Sequence, residues 1–229
     1  MPPEITSRVS RVSSTNPARP QRSMVLAVAI LAPATVLCLR TVDRPAALYL
    51  HRIGYSTALG NRAEQVFPIL IAAGGALIVL FVAFGTAVLM GRSLRPWMLT
   101  TLRGSTAGLA ALGAAELLKV VFGRSPVYPT YLVEGVSRFQ PLHPGTFPSA
   151  TTAASAAILV VLWGAWPRGR IGYVLLLALI GAAILVTNAH WVSDVVGGLL
   201  LGAVVSWALA GVALARQLRH NPRLEQPSP

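Results

Sequence analysis

Charge is scarce in this chain. Only 11% of its 229 residues are Asp, Glu, Lys or Arg, against roughly a quarter in an average soluble domain. A soluble globular fold is therefore not the default. The single cysteine, Cys38, excludes an internal disulfide, and inside an apolar run it reads as a small core residue. Internal repeats are also missing, which leaves a transporter built from inverted repeats with little support. Acidic residues number 7 against 19 basic ones, a net charge of +12. Such a balance first suggests nucleic acid. The basic residues are nearly all arginines, and they fall in the gaps between apolar runs, as membrane topology requires. No nucleic-acid partner is expected.

What the chain has in abundance is apolar sequence, 54% of the total. A bilayer core needs about 20 mainly apolar residues per helix. Six stretches come near this: roughly 24–41, 66–90, 97–122, 149–166, 171–189 and 193–215. The fold expected is an all-α integral membrane bundle of six transmembrane helices over 24–215. The first stretch is the weakest, short and interrupted by Pro33. It lacks a clear small-x-small cleavage site and reads as an uncleaved span. Residues 1–23 are rich in Ser, Thr, Pro and Arg and are expected to be disordered; 216–229 form a tail. Short loops holding Arg92, Arg95, Arg168 and Arg170 group with the arginine-rich termini. Positive-inside logic puts that set in the cytoplasm. The opposite face then carries 43–65, 123–148 and a turn near 189–193.

Ionisable groups within spans are rare and usually functional. Glu116 and Lys119 are three residues apart, so they share a helix face and can pair; the alternative has Lys119 facing an outer cavity, with Arg124 just beyond. In TFPSATTA (146–153), Ser149 stands where an N-cap belongs. A helix start there would offer free backbone N–H groups to an anion. In TNAHWVSDVVGG (187–198), His190 and Asp194 are one helical turn apart. An Asp accepting from one imidazole nitrogen leaves the other free to attack. Ser193 is the candidate cap of the last helix. Two cations, a helix start and an oriented histidine on one face suit phosphoryl transfer.

These residues resemble the motifs of the type 2 phosphatidic acid phosphatase (PAP2) superfamily, which also includes the vanadium haloperoxidases. The resemblance covers roughly 60–215. Its first motif is Lys, six residues, Arg-Pro; here KVVFGRSPVYP keeps Lys119, but Pro126 stands at the Arg, with Arg124 two positions early. The second is Pro-Ser-Gly-His; here PSAT keeps Pro148 and Ser149, and Thr151 replaces the histidine. The third is Ser-Arg, five residues, His, three residues, Asp; His190 and Asp194 are kept, and Ala183-Ile184 replace Ser-Arg. The resemblance implies a six-span fold and a phospho-histidine formed on His190 and oriented by Asp194. It also implies phosphate held by Lys119, Arg124, Ser149 and Thr151, with no metal or cofactor.

Without the second-motif histidine, an alkoxide leaving group, whose conjugate acid is nearly as weak as water, loses its proton donor, at a cost of order 10²–10⁴-fold. A diphosphate expels phosphate (pKa about 6), which needs little protonation. The substrate expected is a lipid phosphate or, preferentially, a diphosphate such as polyprenyl diphosphate. His143, in the loop before Thr151, is a substitute acid. The competing expectation is an inactive member of the fold that binds an anionic headgroup or a partner. The location expected is a bacterial inner membrane, both termini cytoplasmic and the site facing outward.

Overall fold

The computed structural model describes residues 18–54 and 66–220. Among the described residues the fold is carried by seven helices of 12 residues or more: α1 Ala18–Leu37, α2 Asp43–Gly54, α3 Val66–Leu89, α4 Pro96–Phe122, α5 Ala150–Ala165, α6 Arg170–Val186 and α7 Val192–His220. No strand occurs among the described residues. Among the described residues five helical segments are long and apolar enough to cross a membrane: Met24–Ile53, Pro68–Leu89, Pro96–Phe122, Pro167–Val186 and Val192–Ala213. The sixth expected span is α5. Its 16 residues rise about 24 Å at 1.5 Å each, short of a hydrocarbon core of about 30 Å.

Two sequence expectations need correction at the amino-terminal end. The first helix is not interrupted at Pro33; α1 passes through it, as apolar membrane helices tolerate proline when their surroundings satisfy the freed backbone. Nor is 43–65 a loop from its start. A π-helical turn, Cys38–Val42, joins α1 directly to α2. The face of α2 bearing Asp43 and Ala47 is buried, while Arg44 and Leu48 are exposed. The expected disorder over 1–23 falls largely outside the described residues, and α1 starts at Ala18, upstream of the apolar run. The last helix extends past 215 to His220.

Helix α5 is flanked by α4 and α7, with α1 against α7, α3 against α4 and α2 against α6. The α4–α5 seam is made of alanines: Ala107, Ala111 and Ala115 meet Ala150, Ala153 and Ala157. Small residues suit such seams because lipid tails give no hydrophobic drive, so close backbone approach and dispersion must hold the helices together. Helix α7 approaches α5 through Gly198 and Gly202. A Cβ at Gly202 would overlap the Ala153 carbonyl oxygen. Across the same seam, the Ser206 hydroxyl donates to the Ala157 carbonyl at 2.8 Å. Gly202→Ala should force the two helices apart and lower stability by about 1–3 kcal/mol. Gly211→Ala on the same helix, with open space around its Cβ, should change it by under about 0.5 kcal/mol. Thermal unfolding of both variants in mild detergent checks the contrast; equal melting temperatures would contradict the close approach.

Candidate active site

The chain alternates through the bundle, so the end of α4, the start of α5 and the α6–α7 junction meet at one end. The loops with Arg92, Arg95, Arg168 and Arg170 lie at the other. At the first end, Arg124 is the centre. It follows Gly123, which ends α4 in the left-handed conformation (φ 54°), where a Cβ would overlap the Gln140 carbonyl. Residues 123–125 then pair antiparallel with 138–140: Gln140 N–H donates to Gly123 O (2.8 Å) and Ser125 N–H to Arg138 O (2.9 Å). Gly145 packs so closely that a Cβ would lie 2.5 Å from the Arg124 backbone nitrogen. This clip turns Arg124 inward, where it is 1% exposed.

Its guanidinium is enclosed by protein partners. Nη1 donates to Asp194 Oδ1 and to Ser193 Oγ, both at 2.6 Å, and Nη2 donates to Asp43 Oδ2 at 2.6 Å. The guanidinium carbon lies 4.7 Å from the centre of the Trp191 ring and 5.4 Å from that of Phe139, within cation–π range. Asp43 also accepts from the Ser193 backbone N–H (2.9 Å) and hydroxyl (2.6 Å). Ser193 is therefore not the cap of α7 but lies inside its first turn. The early N–H groups of a helix lack internal partners, and here a carboxylate from α2 satisfies one of them. Asp194 closes the other half of the cap: its Oδ2 accepts from the Trp191 N–H at 3.1 Å, as the third residue of a capping box does.

That same oxygen lies 3.2 Å from His190 Nδ1. The expected His190–Asp194 pair is thus in contact, with Asp194 wholly buried and the His190 side chain 15% exposed. An Nδ1–H donating to Asp194 leaves Nε2 with its lone pair; that tautomer is assigned from the hydrogen-bond network. Trp191, buried, anchors the turn through its indole N–H to Ser125 O at 3.0 Å.

Of the other expected site residues, Ser149 is joined to this cluster. Ser149 caps α5, its Oγ accepting from Thr152 N–H (3.4 Å) and the Thr152 hydroxyl (3.1 Å). Its own N–H donates to the Asp194 carbonyl at 3.0 Å, which ties the start of α5 to the start of α7. Ser149 is fully buried, and Thr151 is half-buried in the first turn of α5. Lys119 pairs with Glu116 at 2.8 Å, the pairing expected from their spacing. His143 is exposed, its Nδ1 3.4 Å from its own loop's Pro141 carbonyl. Ile184 is 1% exposed and packs with Ile180 and Val195, so this position contributes only apolar contact. Among the described residues no group of three or more His, Cys, Asp or Glu side chains could hold a metal ion.

Sequence reasoning missed Asp43. Its signal was available: an acidic residue where an apolar helix should continue is expensive unless paired.

The sequence model of the PAP2 superfamily matches residues 69–217, well over half of the chain, and the chain belongs to that superfamily. It is an integral membrane protein of the class that includes membrane phosphatases. Among solved structures it is similar to a transmembrane PAP2-type phosphatidylglycerolphosphate phosphatase from Bacillus subtilis. The identity is 22% and the TM-score 0.48, with 85% of this chain and 96% of that one covered. No curated protein matches the sequence.

Proposed function

We propose that the protein is a phosphatase that hydrolyses lipid phosphates or diphosphates, with polyprenyl diphosphate favoured, through a phospho-histidine on His190. The contact of His190 Nδ1 with Asp194 Oδ2 at 3.2 Å carries this reading. Asp194 fixes the ring so that the Nε2 lone pair attacks phosphorus. The bond from phosphorus to the leaving oxygen breaks, and its electron pair departs on that oxygen. Water then attacks the phospho-histidine, the P–N bond breaks, and phosphate is released; of the two water protons, one stays on phosphate and one ends on the expelled group. Lys119, Thr151 and the start of α5 are the groups that would receive the phosphate. Arg124 acts from behind, through Asp194, because both its Nη atoms are engaged by protein partners.

Thr151 offers no titratable proton, so the reading favours the leaving group that needs least protonation. Phosphate release from a polyprenyl diphosphate should exceed release from the monophosphate of the same lipid by about 10²–10⁴-fold. Equal rates would remove the diphosphate preference, and no release from either would remove the hydrolase reading. His143→Ala refines the assignment. Loss confined to the monophosphate gives His143 the acid role; unchanged rates on both take it out of the site. The arginine-poor face holding the site is read as outward, with both termini cytoplasmic in a bacterial inner membrane; cysteine labelling at each face tests this orientation.

One observation favours a second reading. Arg124, which shares Asp194 with His190, is held by two carboxylates, which weakens the field available to a transition-state anion. A non-catalytic member of the fold that binds an anionic headgroup would show saturable headgroup binding without turnover.

A further inference from the structure

Beside His190 lies a small cavity of about 10 Å³, room for about one water. Asp43, Asn188 and His190 give it a polar wall, and Leu50, Val127 and Leu185 an apolar one. Asn188 stands out within it. It is 3% exposed, and neither its Oδ1 nor its Nδ2 has a hydrogen-bond partner among the described residues. Its backbone is left-handed, φ 55°, a conformation that glycine adopts more easily than any residue with a side chain. Asparagine is among the few other residues that tolerate it just past a helix end, so the backbone accounts for the residue but not for the burial of its amide. Burial of both polar ends without partners is a penalty that the backbone does not offset. It points to a ligand atom that completes the amide.

We propose that Asn188 is a phosphoryl-binding residue: its Nδ2 donates to one non-bridging oxygen of a phosphoryl group presented to His190. This rests on the reading that a phosphoryl group binds at His190. A space for one water matches one oxygen rather than a whole phosphate, so the rest of the group stays toward the exposed edge of the histidine. A neutral amide also suits the place. It offers a hydrogen bond to an anion without competing for the carboxylates that hold Arg124.

The test uses the full-length protein in mild detergent, with inorganic phosphate as the binding probe and diphosphate cleavage as a second readout. Asn188→Gly keeps the backbone conformation and removes the amide. Its melting temperature should equal or exceed wild type, while phosphate affinity falls about 10- to 100-fold, as for loss of a hydrogen bond to a charged group. Asn188→Asp keeps the shape, removes the donor and adds a negative charge; it should bind phosphate at least as poorly, and it serves if the glycine variant does not fold. Wild-type phosphate affinity in these variants would overturn the proposal, as would absence of saturable phosphate binding by the wild type. Asn188-dependent binding without phosphate release sinks the hydrolase reading and leaves this inference standing. Release with Asn188-independent binding does the reverse.

Discussion

Arg124→Met is expected to lower the stability of the protein by about 3–5 kcal/mol, the cost of removing one partner from a buried ion pair. The methionine fills much of the same volume, so the loss is mainly electrostatic. It leaves Asp43 and Asp194, both at most 2% exposed, without their shared guanidinium. It also removes the stacking on Trp191 and Phe139. Adding Asp43→Asn should recover part of the loss, because one of the two stranded carboxylates is then neutral. Unfolding in a detergent titration, run on the wild type, both single variants and the double, measures the coupling. A loss under about 1 kcal/mol for Arg124→Met, the range of an exposed pair, would contradict the enclosed cluster.

The largest effect on turnover should come from the His190–Asp194 pair. Asp194→Asn preserves the shape but lets the amide N–H face the imidazole, which favours the wrong tautomer. Loss of the equivalent carboxylate contact in hydrolase triads costs about 10⁴-fold in rate, and a similar loss of phosphate release is expected here. His190→Ala should remove release altogether. Both variants should still bind inorganic phosphate, since neither change removes a proposed phosphate donor. Release by His190→Ala at the wild-type rate would eliminate the phospho-histidine route. Asp194 also binds Arg124, so the melting temperature must be recorded alongside, and a rate loss in protein that melts near the wild-type temperature is the informative result.

Much of this arrangement was legible in the residues. The apolar runs gave the helices because a bilayer leaves the backbone no other partner, and the spacing of His190 and Asp194 gave their contact because four residues make about one helical turn. Glu116 and Lys119 paired for the same local reason. The failures came where the outcome depends on what lies across the bundle. Pro33 looks like a breaker in isolation, but its helix continues in place. Ser193 looks like a cap, but a carboxylate from a distant helix satisfies the backbone first. Arg124 looks free to meet a ligand, and its pairing with Asp43 from a distant helix is not visible in the sequence. No periodicity in either segment reports that residues 43 and 124 will meet.

The partnership of Asp43 with Arg124 has a consequence for how the molecule can be divided. The family match begins at residue 69, yet the cluster behind His190 draws one of its two carboxylates from residue 43. A chain trimmed to the matched stretch would keep the histidine pair and the arginine but lose the anchor at the start of the last helix. Swapping α2 for the matching segment of a relative would remove the same anchor unless the graft brought its own acid. Amino-terminal boundaries for chimaeras or minimal fragments should therefore be drawn upstream of α2, because the segment that looks most dispensable is wired into the end of the bundle that holds His190.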